Sequence, residues 1–200
     1  RVVQHSISWD VLNVGRFIQG RYLGHFINDA AIGVNGLTPS SYTASSTYSL
    51  DSPAGAFDGS VWGESTPNKQ ARGVWISNAP SNQWIQVSFP LPICIKSFGY
   101  YGGGQDGGSL TRNPKNAKFQ ASNDNITWID LLTFVGQQTG SFQAYSVNNN
   151  TSYLYYRLYI TDNYGDVSYI EILELVLSVE PYPIIINTRS LTGGVAFADA

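Results

Sequence analysis

The sequence of 200 residues contains a single cysteine, Cys94, and no methionine. An intramolecular disulfide is therefore impossible, so the fold must be held together by its core, and the cysteine content does not indicate an oxidising compartment. We expect Cys94 itself to behave as a small buried apolar residue. Apolar runs are also short. None approaches the roughly 20 residues that a membrane-spanning helix needs, so we expect no membrane span.

The chain also contains few charged residues. Charged residues make up 12% of the chain, and the formal net charge is −3. The few basic residues form no patch in the sequence, which argues against the basic face that nucleic-acid binding requires. Both histidines, His5 and His25, lie near the start of the chain. Because no nucleophile–histidine arrangement can be assembled from such spacing, we expect a protein that is not an enzyme.

Aromatic residues and glycine are abundant instead. Aromatics make up 14% of the chain, with 13 Tyr and 5 Trp, and there are 20 Gly. Tyr and Trp favour β-strands, and glycine favours the turns between them. The same two aromatic residues are also those that contact sugars and partner proteins, so the composition indicates a β-protein with a binding role.

The local amino-acid composition divides the chain into three parts. Residues 1–36 are apolar and punctuated by glycine; their periodicity leaves a short helix and strands equally open. Residues 37–179 form the main domain. Residues 180–200 begin with two prolines that end the last predicted strand. We expect the two terminal segments to be arms that dock on the main domain or on another subunit.

Within residues 37–179, short β-type runs alternate with Gly, Asn, Ser and Pro clusters at a spacing of roughly 8–12 residues, which is typical of an all-β sandwich or barrel. In the run 153–161, Tyr156, Leu158 and Ile160 face one way and Arg157 the other. The predicted strands are 82–89, 93–101, 117–122, 128–134, 143–147, 153–161 and 168–178.

Five short motifs occur in order along this part of the chain: Ala56-Phe57-Asp58-Gly59, Gln83-Trp84-Ile85-Gln86-Val87, Phe119-Gln120-Ala121-Ser122-Asn123-Asp124, Tyr156-Arg157-Leu158 and Ile172-Leu173-Glu174-Leu175. Together they resemble the discoidin family, also called the coagulation-factor type C domain, which includes family 32 carbohydrate-binding modules. The resemblance extends over roughly residues 38–179. The motifs are most similar to those of discoidin-like domains in phage tail and other virion proteins. The resemblance implies a jelly-roll β-sandwich of about eight main strands, with a shallow ligand site in the loops at one end and no chemistry of its own.

The resemblance also implies a structural calcium site. Its ligands would be the carboxylates of Asp58 and Glu174 and the carbonyl oxygens of Gly55, Ser60 and Leu173, a set of hard oxygens that suits Ca²⁺. Relatives place a threonine five residues after the aspartate, where this chain has glycine. The alternative is that the aspartate caps its own turn and the glutamate bonds nearby backbone amides.

Candidate ligand-binding residues follow from the same resemblance and from side-chain chemistry. An arginine offers fixed planar donors to a sugar hydroxyl, and tyrosine and tryptophan rings can lie against a sugar face. The arginine can equally be a solvated loop residue. We assign Trp84 and Trp128 to core or turn packing, and Trp75 to the core. The ligand-binding candidates are Trp62, Tyr100, Tyr101, Arg112, Asn113 and Tyr164.

Together these expectations describe a non-catalytic module that recognises a glycan or a cell surface within a virion or other extracellular assembly, such as a fibre, spike or tail. The alternative is a structural capsid or tail protein in which the sandwich is only a scaffold and the terminal arms dock on neighbouring subunits. Both interpretations predict a homo-oligomer that contacts other subunits through its arms, located in a virion or outside the cell.

Overall fold

The computed structural model describes residues 39–58, 73–104 and 109–179, and in these ranges the chain forms nine β-strands and two short 3-10 helices. The predicted terminal arms and Trp62 lie outside the described residues. The helices are η1 (Pro53–Phe57) and η2 (Leu110–Arg112). The strands are β1 (Ser41–Ala44), β2 (Trp75–Ile76), β3 (Gln83–Ile93), β4 (Ser97–Gly102), β5 (Asn116–Ser122), β6 (Ile129–Val135), β7 (Gln143–Ser146), β8 (Tyr153–Ile160) and β9 (Glu171–Ser178).

The strands form two antiparallel sheets that pack face to face as a β-sandwich. One sheet has the strand order β1-β3-β8-β5-β6, and the other has the order β2-β9-β4-β7. The all-β prediction is confirmed, and all seven predicted strands are present. Strands β1 and β2 were not predicted: β2 has only two residues, too few to show a period, and β1 has no buried residue. No helix in the described ranges is long and apolar enough to cross a membrane.

Alternation along β8 builds one wall of the core. Tyr156, Leu158 and Ile160 are buried between the sheets, whereas Arg157 faces outward, as the sequence pattern predicts. Aromatic rings from both sheets meet in this core: the rings of Phe98 on β4 and Phe119 on β5 stack with their centroids 4.2 Å apart. Such offset ring pairs stabilise a core beyond the apolar area that they bury.

Two large buried side chains also satisfy their polar atoms. Trp75 is fully buried, as predicted, and its indole Nε1 donates a hydrogen bond to the carbonyl oxygen of Ser46 at 2.9 Å. The hydroxyl of Tyr156 bonds the carbonyl oxygen of Ile93 and accepts from the amide of Ile95 at 3.3 Å. Burial raises the pKa of Tyr156, so it stays neutral and can donate. Neither residue leaves an unmet polar group in the core.

Three residues lie less deeply than the sequence predicts. Trp84 is only partly buried, on the outer face of the five-stranded sheet, so its assignment to the core is wrong. Trp128 ends the turn before β6, but its ring covers Arg157 on the outer face of the sheet, with 3.9 Å between the guanidinium carbon and the ring centroid. Cys94, between β3 and β4, is also only partly buried, with its sulfur 3.5 Å from the carbonyl oxygen of Asn149.

The turn between β5 and β6 depends on one exposed carboxylate. Asp124 accepts hydrogen bonds from the amides of Ile126 (2.8 Å) and Thr127 (2.7 Å) and from the hydroxyl of Ser122 (2.9 Å). The left-handed φ of 59° at Asn125 completes the turn. These bonds favour the ionised form and lower the pKa of Asp124 to about 2.

We therefore expect Asp124 to stabilise the fold above its unfolded pKa of about 3.9 and to lose this effect as the pH falls through about 2. Thermal unfolding of the protein and of Asp124→Asn between pH 1.5 and pH 6 would measure it. The difference in Tm should be largest near neutral pH and should shrink below pH 4. A difference that does not change with pH would mean that the charge of this side chain does not contribute.

Candidate functional site

Strand direction gathers five connecting segments at one end of the sandwich. These segments follow β1, β2 and β8 and precede β5 and β7. They lie at the same end because Ile160, near the end of β8, pairs with Gln83 at the start of β3 and with Ala117 near the start of β5, and Ala117 pairs with Phe134 near the end of β6. We call this end, formed by residues 45–52, 77–82, 109–115, 136–142 and 161–170, the loop end. The opposite end, formed by the turns 94–96, 123–128 and 147–152, is the far end.

Hydrogen bonds tie neighbouring segments of the loop end together. Pro114 and Asn163 form an isolated antiparallel bridge between the segments before β5 and after β8. The hydroxyl of Tyr164 donates to the carbonyl oxygen of Gly136 at 2.5 Å, which connects the segment after β8 to the one after β6. A side chain placed on this surface is therefore held in position by several elements of the fold.

Arg112, at the last position of η2, is the centre of the loop end. Its Nε lies 3.1 Å from a carboxylate oxygen of Asp166, and its Nη1 lies 3.4 Å from a carboxylate oxygen of Glu171. Its guanidinium carbon is 5.0 Å from the ring centroid of Tyr169, which in turn packs against Tyr48 with 4.7 Å between ring centroids. The arginine side chain is 26% exposed, so the cluster reaches the surface.

The charges of this cluster hold one another ionised. Burial would raise the pKa of Asp166, but hydrogen bonds from the amides of Ser168 and Tyr169 and the nearby guanidinium outweigh it and lower that pKa. Burial would likewise lower the pKa of Arg112, but its hydrogen bond to Asp166 and the charge of Glu171 raise it. The guanidinium is therefore charged and fixed in direction.

Three predicted ligand-binding residues are partly exposed in the fold. Arg112 is in the charged cluster, so it is more than a solvated loop residue. Tyr164 is partly buried, and the ammonium of Lys115 lies 5.9 Å from its ring centroid. Tyr101, at the end of β4, is also partly buried and packs against Phe142 with 5.0 Å between ring centroids. Their contact with a ligand remains a prediction.

Two other candidates are corrected by the structure. Tyr100 is fully buried, because alternation along β4 puts it on the same face as the core residue Phe98. Its hydroxyl bonds Gln143 at 3.2 Å. Asn113 is also fully buried, and its amide donates to the carbonyl oxygen of Thr139 at 2.8 Å. Neither side chain can lie against a ligand; both support the segments that carry the surface.

The structure adds four residues that the sequence did not single out: Asp166, Glu171, Tyr169 and Tyr48. Asp166 and Tyr169 belong to the segment after β8, whose Asp, Asn, Tyr and Gly content marks it as a long loop. Glu171 begins β9 and gives no signal in the sequence, because its partner Arg112 is 59 residues earlier. Only the fold brings these two residues together.

The residues of the predicted calcium site come from two adjacent elements. Asp58 directly follows η1, which packs against β9, the strand of Glu174. Glu174 is buried. The pKa values of Tyr42 and Tyr101 are raised first by the burial of these two tyrosines and then by the nearby charge of Glu174. Ser60 lies outside the described residues. Two carboxylates on neighbouring elements fit the hard-oxygen ligands that Ca²⁺ takes, and the site itself remains a prediction.

Leu173, the remaining predicted ligand, packs through its side chain in a small apolar cluster with Val74 and Ile76 on the outer side of the smaller sheet. Its predicted role requires only its carbonyl oxygen, so this packing and that role are compatible. Among the described residues, no group of three or more His, Cys, Asp or Glu side chains gathers around a common point.

Sequence comparison identifies the family. The F5/8 type C domain matches residues 40–175, and the chain belongs to this family. The recognition of a discoidin-type domain is thereby confirmed. Domains of this family are non-catalytic binding modules, in agreement with the prediction that the protein is not an enzyme. No curated protein sequence matches the chain significantly.

Solved structures with the same fold include several bacterial carbohydrate-binding modules. One from Clostridium perfringens, in complex with GalNAc-β-1,3-galactose, is 17% identical with a TM-score of 0.56, covering 69% of this chain and 94% of that one. The family 32 module of Streptococcus pneumoniae EndoD is 16% identical with a TM-score of 0.54, covering 71% and 94%. The family 32 module of C. perfringens NanJ, in complex with galactose, is 12% identical with a TM-score of 0.55, covering 68% and 91%. At these identities the likeness establishes the fold.

Proposed function

We propose that the protein is a glycan-binding module and that its loop end holds the ligand. The observation that carries this proposal is the cluster of Arg112, Tyr169 and Tyr48, in which a fixed guanidinium and two aromatic rings reach the surface together. A sugar needs both kinds of group: polar donors for its hydroxyls and an apolar surface for its C–H face. The bound sugars of the similar modules support the same ligand class.

The arginine retains donors for such a ligand. A guanidinium carries five N–H groups, and within the described residues Arg112 directs its Nε toward Asp166 and its Nη1 toward Glu171. The remaining N–H groups can bond sugar hydroxyls. Because the two carboxylates already fix the side chain, binding costs little additional side-chain entropy.

A glycan array followed by calorimetry on the whole chain tests this proposal. We expect binding to one or a few related glycans, and loss of that binding in Tyr169→Ala, which removes the ring beside the guanidinium. Leu110→Ala, a substitution of an exposed apolar residue on the same helix as Arg112, is the matched control. Silence across the array, with and without calcium, would overturn the proposal.

We further propose that the module acts outside a cell or on a virion, as part of an assembly formed through residues 1–36 and 180–200. The support is the sequence of these segments, which is too apolar to remain in water without a partner surface. Light scattering on the chain with and without both segments tests the assembly. A truncated chain that keeps the oligomeric state of the whole one would contradict it.

We also propose that Asp58 and Glu174 hold a structural calcium ion. Ligands that bind only the folded state stabilise it by mass action. Asp58→Ala should therefore lower Tm more in millimolar calcium than in chelator. Asp58→Asn, which keeps an oxygen but not the charge, should give an intermediate loss in calcium. Equal losses in both buffers would mean that Asp58 is only a turn cap.

A further inference from the structure

The outer face of the five-stranded sheet carries a second group of aromatic and basic side chains, none of which belongs to the cluster of Arg112. We call Trp84, Arg157, Tyr159 and Trp128 the sheet platform. Trp84 on β3 lies opposite Tyr159 on β8. Arg157 lies two residues before Tyr159 on the same strand and faces the same way. All four residues are partly exposed. They therefore form one continuous surface on the side of the sandwich.

Arg157 lies among the three rings. Its guanidinium carbon is 3.9 Å from the ring centroid of Trp128, 5.4 Å from that of Tyr159 and 5.9 Å from that of Trp84. A guanidinium at 3.9 Å from a ring centroid is in contact with the ring, and the attraction between a cation and an aromatic face holds it there. The guanidinium of Arg157 therefore has a defined position among the three rings.

A row of polar residues fixes the direction of the guanidinium. Arg157 donates from Nε to the side-chain oxygen of Gln120 at 2.6 Å, and the amide of Gln120 donates to Asp130. Asp130 also accepts from the ammonium of Lys118 at 2.7 Å. The register makes this possible, because Arg157 pairs with Gln120 and Gln120 pairs with Asp130 on successive strands.

This row leaves part of the arginine without a partner. Among the residues that the structure describes, the terminal nitrogens Nη1 and Nη2 of Arg157 donate to no oxygen, while its Nε is satisfied by Gln120. Burial lowers the pKa of Arg157, which shows that the charge is partly withdrawn from water. Lys118 compensates the charge of Asp130, so the guanidinium remains as the excess positive charge of this face.

We propose that the sheet platform is a second carbohydrate site, which takes an acidic sugar through its carboxylate and its ring together. A guanidinium edge with two terminal nitrogens matches the two oxygens of a carboxylate. In a uronic or sialic acid the carboxylate is attached directly to the pyranose ring, so a sugar bound at Arg157 also places its ring beside Trp84 or Trp128. The site shares no residue with the cluster of Arg112.

Charge favours the same ligand class. The chain has a formal net charge of −3, yet the sheet platform and its polar row contain Arg157 and Lys118 against Asp130 alone. A neutral glycan would leave the guanidinium unpaired, and a simple anion would leave the flanking rings unused. An acidic sugar is the ligand that engages both.

Calorimetry and tryptophan fluorescence on the whole chain test the proposal. The acidic probes are oligogalacturonate, a hyaluronan tetrasaccharide and sialyllactose, and the neutral control is the methyl ester of the oligogalacturonate. We expect at least one acidic probe to bind, the acid at least tenfold more tightly than its ester, with affinity that falls as salt rises. Silence of all three acidic probes, or equal affinity for acid and ester, would overturn the proposal.

Variants locate the binding. Arg157→Gln should weaken acid binding at least tenfold, Arg157→Lys should weaken it less, and Lys115→Gln, which removes a positive charge elsewhere, should change it less than twofold. Trp84→Phe, measured alongside, keeps a ring of similar character and should retain most binding, so the test does not depend on one variant that fails to fold. Unchanged binding in Arg157→Gln, or equally tight binding of dextran sulfate, would mean that the chain attracts polyanions without this site.

Discussion

Trp75→Ala is expected to lower the free energy of unfolding by about 3–5 kcal/mol, the range for removing a large buried aromatic side chain. Trp75 is 0% exposed, and its indole also bonds the carbonyl oxygen of Ser46. The substitution therefore leaves both a cavity and a carbonyl oxygen that has lost its partner. Urea denaturation at neutral pH measures the effect, with the m-value showing whether the unfolding transition is unchanged.

Trp84→Ala is the matched comparison, because it removes the same side chain from a partly exposed position. Its loss should stay below about 2 kcal/mol, since less apolar surface returns to water and no deep cavity forms. Trp75→Phe keeps an aromatic ring but removes the indole N–H and part of the side-chain volume, so it should cost about 1–2 kcal/mol, less than the alanine variant. Similar losses for the two alanine variants would contradict the placement of Trp84 on the outer face.

Arg112→Gln is expected to have the largest effect on the loop end, with at least a tenfold loss of affinity for any glycan that the array identifies. It removes the guanidinium between Asp166 and Glu171. Because the arginine is 26% exposed, we expect a stability loss of only about 1–2 kcal/mol, smaller than for a fully buried pair. Calorimetry with the glycan and urea denaturation measure the two effects separately.

Two controls make this result specific. Lys115→Gln removes a positive charge from the same end of the molecule and should change stability by less than about 0.5 kcal/mol. The pH dependence is a second control. Because the folded pKa of Asp166 is lowered, its stabilisation is present above about pH 4 and is lost as the pH falls through the folded value. The stability difference between the protein and Arg112→Gln should shrink as the pH falls below 4, and a difference that stays the same at every pH would exclude the ion pair as its cause.

Five of the predicted strands, β3, β4, β5, β8 and β9, contribute buried apolar side chains to the core. From Tyr155 to Ile160 in β8, partly exposed and buried residues alternate, so the pattern shows both the strand and the direction of each side chain. The same reasoning failed for Trp84, because a large aromatic residue is as acceptable on an outer face beside an arginine as in a core. Residue type alone does not distinguish the two sides of a strand.

The loop end was predicted less completely. Arg112 was recognised because its position resembles that of a sugar-binding arginine in related domains, but its partners were not. Asp166 and Glu171 lie 54 and 59 residues further along the chain, and no local pattern links positions so distant. Tyr100 and Asn113 were misplaced for the opposite reason: they adjoin a loop in sequence, and only the packing shows that they point into the protein.

The sole cysteine gives the molecule a practical asymmetry. Cys94 is partly accessible and lies in a turn of the far end, whereas Arg112 is at the loop end, separated by the length of β4, about 20 Å for a strand of this size. A maleimide label or surface attached at Cys94 would therefore orient every molecule in the same way, with the loop end directed outward. Immobilised in this orientation, the protein can be tested for binding to glycan-coated surfaces without chemical modification of either proposed site.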